Sequence, residues 1–152
     1  MRLALYQPDI PQNTGALMRL AACFDVALDI IEPCGFPLSE KSLRRTGMDY
    51  VDLVDLTLHP SWSAFTSLTK SRQGRLVLLT TQAPVSYTQV QFKPCDVLLL
   101  GRESAGVPEE VRQAAALSVR VPLSPATRSL NVAIAAGIVL SEALRQTEGF
   151  CT

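Results

Sequence analysis

The chain predicts an α/β fold on a mostly parallel sheet. Short apolar, β-branched runs alternate with helix-like segments along its length, which is the pattern of strand, crossover helix and next strand. Two of those runs, 75–80 and 96–100, are apolar enough to be strands covered on both faces. No internal repeat, low-complexity tract or linker interrupts the alternation, so 152 residues read as one domain over 1–152.

The elements follow in order. Residues 2–6 read as the first strand. A helix is expected over 13–24, because Leu17, Leu20, Ala21 and Phe24 repeat at i, i+3, i+4 and i+7, with Asn13 as its cap. A second strand at 27–31 ends before Pro33. Lys41, Arg44 and Arg45 fall in a short basic helix over 41–46, stopped by Gly47. A strand is expected at 51–55, then a helix over 59–70 with Pro60 in its first turn. After the strands at 75–80 and 96–100 come a helix over 108–116 and a strand at 118–121. The last helix is expected over 129–146, capped by Ser129. Between Leu130 and Leu140 it is apolar nearly all round, with Gly137 inside it, so it should be buried on most sides. A second subunit covering it is the natural reading, with a purely internal helix as the alternative.

Composition narrows the function. An apolar fraction of 47% and a charged fraction of 18% describe a folded chain, and the low charge again suggests surface covered by another subunit. Fourteen basic residues balance fourteen acidic ones. Any nucleic-acid binding must therefore use positive charge that is local and kept apart from the acids. Cys23, Cys34, Cys95 and Cys151 form no CxxC pair, and His59 is the sole histidine, so the expectation is free thiols and no metal site. The first residues lack a charged-then-apolar leader pattern, and the longest apolar stretch is too short for a membrane span. The expectation is a cytoplasmic protein with no membrane partner.

Ligands of open α/β sheets bind at the carboxyl ends of strands, and three loops there have unusual composition. The first is Gln7-Pro8-Asp9-Ile10-Pro11-Gln12-Asn13-Thr14-Gly15. Arg19 falls opposite the apolar stripe that follows, either solvated or aimed over Gly15 at a phosphate or substrate. The second is Gly101-Arg102-Glu103-Ser104-Ala105-Gly106-Val107-Pro108, where two glycines let the backbone bend and approach a ligand. Neither a Walker A pattern nor GxGxxG is present, so it is no standard ATP or NAD cradle. The third runs from Val121 through Ser129-Leu130-Asn131 into the last helix. The Asn131 amide needs partners there, from another loop or from a ligand. No Ser-His-Asp set or paired carboxylates emerge by spacing. A site of backbone amides, glycines, small polar groups and arginines binds and positions. It suits transfer of a group from a cofactor that carries its own reactivity.

Asn13-Thr14-Gly15 with Arg19, the loop Gly101 to Pro108, and Val121-Pro122-Leu123 with Ser129-Leu130-Asn131 resemble the three motifs of the SPOUT superfamily of RNA methyltransferases. Within it the chain is similar to the SpoU-type 2′-O-ribose methylases. Residues 30–36 and 41–50 resemble the minimal bacterial subgroup that acts on the wobble nucleotide of leucine tRNAs. Arg102 and Ala105 depart from that subgroup's pattern. The resemblance covers nearly the whole chain. It implies a C-terminal trefoil knot, which periodicity would never suggest, and a homodimer. It implies S-adenosyl-L-methionine as cofactor, lined by Leu79, Gly101, Val121, Ser129 and Leu130.

The implied reaction is methyl transfer to the ribose 2′-hydroxyl of nucleotide 34 in a tRNA anticodon stem-loop, with Arg19, Glu103 and Asn131 as the catalytic set. Arginine stays protonated in proteins, so Arg19 is either a base in an unusual pocket or a group that orients phosphate and stabilises the developing alkoxide. Arg19, Lys41, Arg44 and Arg45 would contact RNA. The readings from other classes are 2′-O-methylation at another RNA position, a non-catalytic RNA-binding module, and a small-molecule α/β enzyme.

Overall fold

A computed structural model of the chain describes residues 1–39 and 50–150. Its elements are β1 (Arg2–Tyr6), α1 (Pro11–Cys23), β2 (Ala27–Ile31), β3 (Leu56–His59), α2 (Trp62–Ser71), β4 (Arg75–Leu79), β5 (Val85–Ser86), β6 (Asp96–Leu100), α3 (Glu109–Ala114), β7 (Leu117–Arg120) and α4 (Val132–Gln146). The seven strands form one sheet in the order β3-β2-β1-β6-β4-β7-β5. Every pair in it is parallel.

Side chains alternate across a strand, and here both faces are covered. Leu3, Leu5, Leu28, Ile30, Val77, Leu98 and Leu100 pack under Leu17 and Met18 of α1 and Val139, Leu140 and Leu144 of α4. The intervening residues Ala4, Tyr6, Ile31, Leu76, Leu78, Val97 and Leu99 pack under Phe65 of α2 and Val111 of α3. This is why β6, at the centre, is buried at all five residues and reads as an unbroken apolar run.

Two carboxylates are buried in the sheet, Asp29 at the middle of β2 and Asp96 at the start of β6, each with a basic partner. Asp29 accepts from Arg2 Nε at 2.7 Å and lies 2.7 Å from His59 Nε2. Asp96 accepts from Arg75 Nε at 2.7 Å and Nη2 at 2.6 Å, and from the Lys93 amide at 2.9 Å. Because Asp96 is wholly buried, Asp96→Ala leaves these donors unmatched. It should cost on the order of 3 kcal/mol, read as a lower urea midpoint at unchanged slope. A loss below about 1 kcal/mol would show that water replaces the carboxylate.

Several expectations need correction. Residues 51–54 are turn, and the strand is β3 at Leu56–His59. His59 therefore ends a strand, and α2 begins after Ser61, whose hydroxyl accepts from the Ala64 amide at 3.1 Å. Helix α1 starts two residues earlier than expected, at Pro11, and Asn13 is not its cap. Helix α4 starts later, at Val132, and its cap is Asn131 rather than Ser129. The expected basic helix with Lys41, Arg44 and Arg45 lies outside the described residues.

Among the described residues, helix α4 is covered mainly on one side. Ala136, Val139, Leu140, Ala143 and Leu144 are buried, while Ile134 stays 56% exposed. Cys23, Cys34 and Cys95 are free thiols. Burial pushes the Cys34 thiol up to about 12, so it is chemically quiet. Among the described residues there is no His, Cys, Asp and Glu cluster fit for a metal and no helix long and apolar enough to cross a membrane.

Candidate active site

The loops that leave β1, β4, β6 and β7 at their carboxyl ends, with the start of α4, enclose a cleft of about 620 Å³. Leu79, Gly101, Val121, Ser129, Leu130, Glu103 and Asn131 all line it. Parallel strands point their carboxyl ends the same way, so residues scattered over half the chain arrive at one edge. Arg19 does not line this cleft. It is exposed on α1, with its guanidinium carbon 4.9 Å from the centre of the Tyr50 ring.

The floor is the turn after β6. Arg102 and Gly106 exchange two backbone hydrogen bonds of 2.9 Å and close it into a small ring. A Cβ on Gly101 would stand 2.7 Å from the Gly106 carbonyl carbon and 2.9 Å from its Cα, so only glycine fits. Gly106 itself has φ +65°, and a Cβ on it would meet nothing within 4 Å, leaving the wall open beside the turn.

A chain of hydrogen bonds ties the three loops. The Asp9 amide donates to Glu103 Oε2 at 3.0 Å, and the Glu103 amide donates to Asp9 Oδ1 at 3.2 Å. The Ser104 hydroxyl donates to Asp9 Oδ2. Asn13 Nδ2 donates to Glu103 Oε1 at 3.1 Å, and Asn131 Nδ2 donates to Asn13 Oδ1 at 2.8 Å. Asn131 Oδ1 then accepts from the Ala133 amide at 2.9 Å and caps α4. The Asn131 amide is thus partnered by another loop. It sits exposed at the helix start, not within a buried turn.

Asp9 was missed as a site residue. It lies in the first unusual loop, but nothing in the spacing points to Glu103, 94 positions on. Gly35 is fitted to it, since a Cβ there would stand 2.7 Å from Asp9 Cβ. The two carboxyls shift in opposite directions. Burial and the nearby Asp9 raise Glu103, while its hydrogen bonds hold Asp9 at about 2.

The lining is mixed. Leu79, Leu100, Val121, Leu123 and Val132 supply apolar lining, and Asn13, Thr80, Gln82 and Asn131 supply polar groups, a mixture that suits a nucleoside-sized ligand. Among the described residues, Arg102, Arg112, Arg120 and Arg128 face the cleft against one acid, Glu103. The neutral chain therefore does carry a local positive site, and none of these four arginines was singled out by the sequence as a contact.

The family model for "SpoU rRNA Methylase family" matches residues 1–141. A tRNA (cytidine(34)-2′-O)-methyltransferase of Beijerinckia indica is 57% identical over 144 residues, 95% of this chain and 90% of that one. The protein of that same description from Escherichia coli K12 is 38% identical over 148 residues, 96% and 93% of the two chains. A structure described as giving insights into 2-OH methylation of C/U34 on tRNA superimposes with TM-score 0.88 at 41% identity, over 95% and 94% of the chains. An AdoMet-bound rRNA methyltransferase of Sinorhizobium meliloti superimposes with TM-score 0.84 at 28% identity, over 95% of this chain and 55% of that one. With the three motif loops gathered on one cleft and this match along nearly its whole length, the chain belongs to the SpoU methylase family.

Proposed function

We propose that this protein transfers a methyl group from S-adenosyl-L-methionine to the ribose 2′-hydroxyl of nucleotide 34 of tRNA, in the cytoplasm, with leucine tRNA as the substrate. The observation that carries the reading is the hydrogen-bonded clasp Asp9–Glu103–Asn13–Asn131, which holds all three motif loops around one cleft. Similarity to proteins described as tRNA (cytidine(34)-2′-O)-methyltransferases supports the substrate.

The cleft fits the cofactor. Its volume of about 620 Å³ and mixed lining suit a nucleoside with a short polar tail, and the open wall at Gly106 leaves room for it. Leu79, Gly101, Val121, Ser129 and Leu130 would hold it there, and when bound it supplies an activated methyl group. The chain then has mainly to orient the ribose hydroxyl and stabilise the oxygen as it loses its proton. Glu103 and Asn131 hold the loops. Arg19 is assigned to stabilise that oxygen and the neighbouring phosphate rather than to act as the base. Lys41, Arg44 and Arg45 are further candidates for tRNA phosphates.

A homodimer and a C-terminal trefoil knot belong to the same proposal. The exposed Ile134 on an otherwise apolar α4 supports the first. For the second, β7 lies between β4 and β5, and Gln146 of α4 binds both Val90 and Phe92 of the segment that returns from β5 to β6.

The test incubates leucine tRNA with labelled cofactor, beside the same tRNA carrying a 2′-deoxy nucleotide at position 34. Label is expected in the first alone. Equal labelling of both would remove the wobble ribose as target. No label in either, with no calorimetric cofactor binding, would remove the enzyme reading.

A further inference from the structure

Of the four arginines on the cleft, two have evident employment. Arg120 donates to the carbonyls of Ala83 and Pro84, the latter at 2.9 Å. Arg112 has an ion-pair partner, Glu109 at 3.6 Å on its own helix, although its Nε, like that of Arg102, is buried without a hydrogen-bond acceptor. Arg102 is placed differently. Its backbone is clamped on both sides by Gly106 at 2.9 Å, so its position is set by the turn and not by its own side chain. Its guanidinium carbon lies 5.8 Å from the centre of the Tyr6 ring. That ring is itself fixed, being 8% exposed and edge-on to Trp62 at 5.8 Å. No hydrogen bond or ion pair from the Arg102 guanidinium is found among the described residues, and its Nε is buried without an acceptor.

A guanidinium held over an aromatic face keeps its edge free, and along that edge its donors lie in one plane that matches an oxyanion. A buried donor with no acceptor is costly, so the arrangement is complete only when an acceptor arrives. The proposed cofactor is a poor source of compensating charge, since its sulfonium and ammonium outweigh its one carboxylate. RNA brings the anions that four arginines and one glutamate lack.

We propose that Arg102 is a seat for a backbone phosphate of the RNA beside the methylated ribose. The proposal rests on the reading above. It adds a contact at the cleft itself, within the motif turn, to the candidates Lys41, Arg44 and Arg45. It also gives a role to a residue where this chain departs from the pattern of the subgroup it resembles.

The test measures tRNA affinity of the parent, Arg102→Gln and Arg102→Lys across salt from about 50 to 300 mM, with cofactor affinity by calorimetry alongside. Arg102→Gln should weaken tRNA binding about ten-fold at low salt and lower the magnitude of the log–log salt slope by about 0.7 to 0.9, the loss of one phosphate. Affinity for S-adenosylhomocysteine should stay within about two-fold of the parent. Arg102→Lys should restore the slope, because it keeps the charge, but only part of the affinity, because it lacks the fork. A merely structural role would not follow charge in this way. An unchanged slope in Arg102→Gln overturns the seat. So does lost affinity for S-adenosylhomocysteine with 5′-methylthioadenosine binding unchanged, which would place the cofactor's carboxylate on Arg102. Methylation of position 34 by the parent is scored in the same tRNA, so failure of the functional reading appears in the parent and failure of the seat only in the variants.

Discussion

Gly101→Ala should abolish cofactor binding, with a loss of at least about 100-fold in affinity, roughly 2.7 kcal/mol or more. The added methyl would stand 2.7 Å from the Gly106 carbonyl carbon. A flexible side chain could swing away from such a contact, but here the obstacle is backbone. That backbone is locked by the paired Arg102–Gly106 hydrogen bonds and by the positive φ of Gly106. The turn must open, and its movement carries Glu103 away from Asp9 and Asn13. Calorimetry with S-adenosylhomocysteine reads the loss, and urea unfolding should show a further cost of about 1 to 3 kcal/mol. Gly106→Ala makes the contrast. Its methyl meets no atom within 4 Å, so only the conformational strain of about 1 kcal/mol remains. If Gly101→Ala bound cofactor like the parent, the turn would not be part of the pocket.

Arg19→Ala should lose about 10³-fold in turnover while keeping cofactor affinity, the size expected for a group that stabilises developing charge. Its position makes a sharper prediction. Arg19 stands on α1 beside Tyr50 and does not line its own chain's cleft. In the proposed dimer, Arg19 would serve the cleft of the other copy. Coexpressed Arg19→Ala and Gly101→Ala chains should then regain activity that neither has alone. Random pairing makes half of the dimers mixed, each with one sound site, so about a quarter of the parent's activity is expected. No recovery in a mixed dimer, isolated through two different affinity tags on the two variants, would place Arg19 in its own chain's site or remove it from the reaction.

How far the chain could be read varies by element. Strands β1, β2 and β6 occupy the residues expected, because a strand covered on both faces must be apolar along its length. Strand β3 was displaced by five residues. It is an edge strand, part exposed, and its last residue is a histidine whose place depends on Asp29, 30 positions earlier. The two-residue β5 left no periodic signal at all. Asn13 and Ser129 are sound caps by residue type, but the Asn13 amide is taken by Glu103, 90 positions away, and Asn131 does the capping.

The site divides in the same way. Glu103 and Asn131, with the five expected cofactor residues, do meet on one cleft, yet it was motif resemblance that grouped them. Spacing alone could not, since Leu79 and Leu130 are brought together only by the strand order β6-β4-β7. By itself the sequence determined what acts over a few residues: the alternation of strand and helix, the apolar faces, and the glycines where backbone must turn. Tertiary structure alone decided the partners of Asp9 and Asn131, 94 and 118 positions distant. It also decided the free edge of Arg102 and the distance of Arg19 from its own cleft. Periodicity and capping are local energies spanning about one helical turn. A hydrogen bond across 118 positions exists only after a parallel sheet has set two strand ends side by side.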